Sequence, residues 1–158
     1  MHDEDDEEDA GPLHDLPATA KIEPEVDSED ETEEEVEPAF SSAAEWVRKW
    51  LAQVLSSRKF SPQPGKGLRW DPEWWQYPEV RSRFESLWRS WEEARAEGSG
   101  SAMSRWWVHE FDAHMQVILN GDTGPFHLYD PDKPRMELYS LPVVDPPPGM
   151  DDGSLAGE

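Results

Sequence analysis

Acidic residues are concentrated at the two ends of this chain, and their distribution limits where a folded core can lie. Residues 1–38 hold 18 acidic side chains and one basic one, and residues 142–158 hold four acidic side chains and no basic one. The middle, residues 39–141, has 14 acidic and 13 basic side chains and 42 hydrophobic residues. A stretch of that length and composition can bury one small core. The sequence therefore predicts one domain at 39–141 between two disordered arms.

The two arms have different compositions. Residues 1–38 are dense in like charge and poor in apolar side chains, so burial cannot offset the entropy of ordering them. We expect either a solubilising tail or an arm that binds a basic partner. Residues 142–158 contain the run Pro146-Pro147-Pro148-Gly149, which is typical of a disordered tail or of a ligand for a proline-reading partner.

Several features bear on the cellular compartment. The chain has no Cys, which excludes disulfides, thiolate metal sites and a Cys nucleophile. The acidic N-terminus has the opposite charge from a secretory signal peptide. Apolar runs stay far below the roughly 20 residues that cross a bilayer. We therefore expect a soluble, cytoplasmic protein that does not contact a membrane.

Apolar side chains recur with helical spacing in three places. Ser42 and Glu45 have the spacing of a capping box, and a stripe follows as far as about Ser57, formed by Trp46, Val47, Trp50, Leu51, Val54 and Leu55. A second helix is predicted from Pro78 to Gly98, with the stripe Val80, Phe84, Leu87, Trp88 and Trp91. A third helix is predicted from Ser101 or Ser104, with Trp107 and Phe111 facing inward and Met115 as a further candidate.

The region after the third stripe is ambiguous. Residues 114–119 fit either a continued helix or a strand that pairs with residues 126–129 across a turn-rich segment. The sequence therefore predicts a mainly α, three-helix, Trp-rich domain, with a short C-terminal β-hairpin as an addition.

All nine Trp residues lie between Trp46 and Trp107 and include two adjacent pairs. Neighbours on a helix diverge by about 100°, so the helix cannot bury both members of a pair equally. An indole at an edge or groove can bury its ring against a partner, and Trp is enriched at interface hot spots. We therefore expect partner contacts from among Trp70, Trp74, Trp75, Trp106 and Trp107, although packing in the core is the alternative for any one of them.

A set of spaced motifs in residues 45–127 resembles a known family. The motifs are Trp70-Asp71-Pro72-Glu73-Trp74-Trp75, Pro78-Glu79, Leu87-Trp88, Trp91-Glu92, Met103-Ser104, Trp106-Trp107, Asp112, His114-Met115 and Gly124-Pro125-Phe126. Together they resemble the actinobacterial domain-of-unknown-function family 4913. The resemblance implies an origin in an actinobacterium, or in a plasmid, integrated element or phage associated with one. It implies no activity.

Two positions depart from the family pattern, which has His where this chain has Glu110 and Pro where it has Ala113. The nearest His, His109, lies one position earlier. If the family used that His as a ligand, this chain would substitute a carboxylate.

The densest set of ligand-type side chains is His109, Glu110, Asp112 and His114, and His127 could join them if a hairpin folds back. Imidazole and carboxylate ligands suit Zn²⁺ or Mn²⁺, which could activate water in a hydrolase or nuclease. The spacing argues against such a site, because side chains five apart on a helix diverge by about 140°. No phosphate loop, nucleophile elbow or dinucleotide motif is present in the sequence, and no catalytic residue is predicted.

DNA binding is a further alternative. Indole rings beside basic side chains could stack on bases, and the candidates are Arg69, Arg81, Arg83, Arg89 and Arg105. The near-neutral middle, tethered to an acidic arm, lacks the positive field on which such binding depends. We therefore expect a small interaction module of an actinobacterial mobile element or phage that docks an unidentified protein, with a hydrolase or nuclease and a DNA-binding accessory protein as alternatives.

Overall fold

A computed structural model describes residues 35–150, and the described residues from Val36 onward belong to one compact unit. Most of the predicted acidic arm (1–34) and the end of the predicted tail (151–158) lie outside the described residues. The prediction of a mainly helical domain with three helices is confirmed. Within residues 35–150, no helix is both long and apolar enough to span a bilayer.

Helix α1 covers residues 43–57 and changes pitch along its length. It comprises an α-helical start, a π-helical turn, a short α-helical segment and a 3₁₀ end, at Ala43–Trp46, Val47–Leu51, Ala52–Val54 and Leu55–Ser57. The predicted cap forms only in part. Ser42 Oγ accepts from the Glu45 amide at 3.1 Å, whereas the Glu45 carboxylate accepts from the amide of Ser41 at 2.6 Å.

Helix α2 is the α-helix Pro78–Glu97, and Gly98 follows it with a φ of 72°. Pro suits the first helical position because the N–H it lacks would have no partner there, and Gly adopts the left-handed conformation after the end without steric cost. A 3₁₀ turn, Trp74–Gln76, immediately precedes α2.

Helix α3 covers residues 100–118 and, like α1, contains a π-helical turn. Its segments are Gly100–Arg105 (α), Trp106–Phe111 (π) and Asp112–Ile118 (α). The helix begins slightly before the predicted Ser101 or Ser104, because Ser99 Oγ accepts from the Ala102 amide and caps it.

The predicted C-terminal β-hairpin was wrong, because the described part of the chain contains only isolated bridges, Phe60 with Leu68 and Leu68 with Asn120. Met115 and Ile118 are buried and continue the apolar face of α3. These residues therefore pack as a helix and do not pair as a strand. Residues 126–129, which were predicted to pair with that strand, contact the loop between α1 and α2 instead, since His127 O accepts from the amide of Gly65 at 2.8 Å.

The core lies where α1 and α3 pack against α2. The Trp46 ring meets Phe84 edge-on at 6.5 Å, and Trp106 Nε1 donates to Ser90 Oγ at 2.9 Å. Fifteen buried side chains form one cluster: Trp46, Val47, Leu51, Leu55, Tyr77, Val80, Phe84, Leu87, Trp91, Trp106, Phe111, Met115, Ile118, Leu119 and Phe126. All three predicted stripes therefore contribute to a single interior.

Backbone hydrogen bonds join the loop between α1 and α2 to the loop after α3. The Arg69 amide donates to Leu119 O at 3.0 Å, and the Gly121 amide donates to Gly67 O at 2.8 Å. The buried Arg69 side chain also donates to the carbonyls of Ser61 and Tyr129. The two loops therefore support each other rather than standing free.

Candidate functional site

The loop before α2 and the first turns of α1 form an open groove of about 640 Å³, here called the tryptophan groove. Its walls come from two stretches of chain close in space: Ser41, Ser42, Ala44, Glu45, Val47, Arg48 and Ala52 on one side, and Trp70, Pro72, Trp74 and Trp75 on the other. Three of the five predicted partner-contacting indoles therefore meet at one place.

The three indoles of the groove are buried to different degrees. Trp70 and Trp74 are half-buried, with their rings 6.0 and 5.2 Å from the ring of Phe84. Trp75 is 49% exposed and forms part of the wall. The groove thus has an indole at its surface and two more fixed by the core.

The groove also has charged residues of both signs. Lys49 donates to Glu45 at 2.5 Å. This hydrogen bond, with those from Ser41, lowers the pKa of Glu45 to about 2. Glu45 is therefore a carboxylate at any physiological pH, and the exposed Arg48 supplies a positive charge beside it. Apolar rings with a polar border are the usual composition of a protein-binding patch.

The fully buried side chain of Asp71 holds in place the loop before α2 that forms one wall of the groove. Its carboxylate accepts from Tyr77 Oη at 2.8 Å, from the Glu73 amide at 2.9 Å and from both terminal nitrogens of Arg135. Burial, and then the hydrogen bond to Asp71, raises the pKa of Tyr77, so the phenol stays a donor. Sequence reasoning missed this network, because no spacing rule links Asp71 to a residue 64 positions later.

The second Trp pair does not line the groove. Trp106 is 3% exposed, so its ring offers no face to a partner. Trp107 is half-buried, and its ring lies 4.7 Å from that of Phe111 and 5.6 Å from that of Trp50. Each pair has one member nearer the surface, as expected, and only the first pair lines the groove.

The four candidate metal ligands are not brought together. His109, Glu110 and Asp112 are exposed. No set of three or more His, Asp or Glu side chains within 35–150 is arranged to hold a metal ion. The fourth candidate, His114 on α3, contacts Arg83 on α2. Arg83 lies 3.1 Å from Nδ1, and since a guanidinium only donates, Nδ1 must accept.

The environment of His114 also disfavours a bound cation. Burial, and then the charge of Arg83, lowers the pKa of His114 against the opposing effect of Glu110. A neutral imidazole whose Nδ1 already accepts from a guanidinium has one free nitrogen and a positive neighbour. His127 is separately engaged, because its Nδ1 donates to Gly124 O at 2.9 Å.

The arginines considered for DNA binding are mostly paired within the domain. Arg83 and Arg89 form ion pairs one turn away on α2, with Glu79 and Glu85. Arg69 is buried among carbonyls, which leaves few unpaired guanidinium groups for a phosphate backbone among these candidates.

The described residues form a small three-helix bundle with an aromatic groove on the loop that Asp71 holds in place. The family model Domain of unknown function (DUF4913) matches residues 40–147, and the chain belongs to this family. No curated protein and no solved structure matches the chain.

The geometry gives physical reasons for several motif residues. Asp71 braces the groove loop, and Trp70 and Trp74 line the groove. A Cβ added to Gly124 would lie 2.4 Å from Val117 O, so the close approach of two backbones requires glycine there. The motif at residues 70–75 therefore builds the groove, and Gly124 serves the packing of the loop after α3.

Proposed function

We propose that this protein is an interaction module that docks a partner polypeptide through the tryptophan groove. The observation that carries the proposal is Trp75, which leaves half of its ring in solvent beside Trp70 and Trp74. Exposing so large an apolar ring forgoes the free energy of burying it, which a partner can recover. Trp is also a residue that most often dominates the energy of an interface.

The cellular setting in this proposal follows from the family resemblance and the composition. We place the module in the cytoplasm, as an accessory protein of an actinobacterial mobile element, plasmid or phage. Residues 1–38 hold most of the net charge of -22 and would attract a partner with a basic surface, separately from the contact that the groove makes.

The proposal can be tested with a displayed pool of random peptides and of fragments from an actinobacterial proteome. Wild-type protein should enrich a set of binders, and Trp75→Ala should lose them. The matched control is Val108→Ala, because Val108 is 58% exposed on α3 and does not line the groove. Circular dichroism and urea unfolding establish that both variants remain folded.

Binders that are lost with Trp75→Ala and kept with Val108→Ala support the proposal. A pool that yields no binder, or binders that ignore Trp75, would contradict it. If Trp75→Ala unfolds the domain, that ring is structural, and Arg48→Glu on the facing wall replaces it as the test.

A further inference from the structure

The C-terminal stretch contains a second exposed apolar feature, residues 141–148, here called the proline segment. Residues 134–147 have no regular secondary structure, and Leu141, Val143 and Val144 are 85, 86 and 95% exposed. Four of its eight residues are Pro, which fixes φ and removes amide donors, so the segment favours the polyproline II conformation. It therefore presents apolar surface in a form that is already extended.

The tryptophan groove has the chemistry that recognises such a segment. Polyproline II leaves its carbonyls free of internal hydrogen bonds, and aromatic-lined grooves bind it at low entropic cost. Within the described residues, indole N–H donation is seen from Trp88 to Glu92 and from Trp106 to Ser90, not from the groove. The groove can therefore offer a partner the exposed parts of three indole rings together with their N–H donors, from Trp70, Trp74 and Trp75.

Charge gives a register for the contact. The proline segment contains one charged residue, Asp145, between Val144 and Pro146. Arg48 lies exposed in the wall of the groove. A guanidinium and a carboxylate form strong, directional hydrogen bonds, so this pair would orient the segment along the groove.

The groove and the proline segment do not meet within one chain. No residue of the segment lines the groove, and the preceding residues 136–139 instead line a cleft beside Tyr77. Resting on the function proposed above, we propose that the groove binds the proline segment of a second copy of this chain. Exchange in both directions gives a closed two-fold dimer with two identical contacts.

The test is the oligomeric state of the full chain, measured by sedimentation across a concentration series. Wild type should form a dimer as concentration rises. Trp75→Ala should weaken dimerisation roughly thirtyfold, as expected for loss of an interface hot spot. The combined change Pro146→Ala, Pro147→Ala and Pro148→Ala should weaken it similarly, whereas Val108→Ala should leave it unchanged.

Mixing the two defective variants gives a stricter measurement. Trp75→Ala keeps an intact proline segment, and the triple proline variant keeps an intact groove. A mixture should therefore restore one of the two contacts and yield a heterodimer tighter than either homodimer. A general folding defect would not produce this complementation.

A synthetic peptide of residues 139–150 provides an independent readout in trans. It should change the tryptophan fluorescence of the full chain and dissociate the dimer. A wild type that stays monomeric at every concentration, or a peptide with no effect, would overturn the exchange. If displayed peptides still bind in a Trp75-dependent way, only this inference fails; if no ligand depends on Trp75, the proposed function fails as well.

Discussion

Arg135 donates hydrogen bonds from both of its terminal nitrogens to the carboxylate of Asp71, a side chain with no exposed surface. The same carboxylate also accepts from Tyr77 and from the Glu73 amide. A buried charge is tolerable only when its hydrogen-bonding capacity is filled by such donors. This one pair ties the chain after α3 to the loop that forms the groove.

Replacing Asp71 with Asn should destabilise the fold strongly. The change keeps the shape but removes the buried negative charge, so Arg135 keeps only Glu73 as an ionic partner, and an amide NH₂ that cannot accept from Tyr77 or Arg135 replaces one carboxylate oxygen. Buried donors left unpaired cost about 1–3 kcal/mol, and more when they are charged. The free energy of unfolding from urea titration measures the loss. Glu73→Gln is the control, because Glu73 pairs with the same arginine but is half exposed, so it should cost less than about 1 kcal/mol. Equal losses would contradict the role given to Asp71.

Trp106 and Trp75 should differ sharply in what their removal costs. Trp106→Ala creates a cavity in the core and should lose about 3–5 kcal/mol of unfolding free energy, whereas Trp75→Ala should lose no more than about 1 kcal/mol. Thermal and urea unfolding both report the difference. Because Trp106→Ala can abolish folding, Trp106→Phe serves beside it, keeping most of the ring but not the N–H to Ser90. Similar costs at the two positions would place Trp75 in the core.

Gly124→Ala should destabilise the domain by about 1–3 kcal/mol or more, because the new Cβ would meet Val117 O at 2.4 Å and Asn120 O at 2.5 Å. These are backbone atoms and cannot move aside cheaply. Gly100→Ala is the matched control at the start of α3, where a Cβ meets nothing within 4 Å. It should be neutral or stabilise by about 0.5–1 kcal/mol. Unfolding midpoints that shift alike would refute the steric argument.

Stability should depend on pH through Glu92. Burial opposes ionisation of its carboxylate, but the amides of Ala39 and Phe40, each at 3.0 Å, and Arg95 outweigh burial and lower its pKa. The folded state thus binds this proton more weakly than the unfolded state. The stabilisation is complete above the ordinary pKa of 4.5 and is lost as pH falls through the lower folded value.

The comparison that isolates this effect is wild type against Glu92→Gln in urea at several pH values. The stability gap should be largest near neutral pH and should shrink in acid. Glu85→Gln is the control, since the Glu85 side chain is 44% exposed and its partner, Arg89, lies on the same helix. A gap for Glu92 that is independent of pH would show that the carboxylate charge does not contribute.

The helices could be predicted because their signals are local. The stripe through Val80, Phe84, Leu87 and Trp91 lies within one element, and each of these residues is buried as the spacing requires. Pro78 and Gly98 bound α2 where their backbone preferences place them. The π-helical turns carry no comparable signal, and residues 114–118 were ambiguous because their apolar run fits two periods.

The site could be predicted only in part, since its assembly is not local. Adjacent indoles indicate that some Trp lies near the surface, yet nothing in the spacing separates Trp75 from Trp106. Whether a given indole is buried or exposed depends on which rings α2 covers, and that follows from how the three helices pack. The brace from Arg135 to Asp71 joins two loops, where side-chain pairing has no periodicity to reveal it.

The ion pair between Arg135 and Asp71 also determines when, during synthesis of the chain, the groove can be completed. A ribosome that has released residues up to 118 has delivered all three helices, but the guanidinium that satisfies Asp71 is still to be translated. The groove can therefore be completed only late, after the bundle is available to fold. A premature stop codon between the end of α3 and Arg135 would leave a helical product with an unneutralised internal carboxylate beneath an unfinished binding surface.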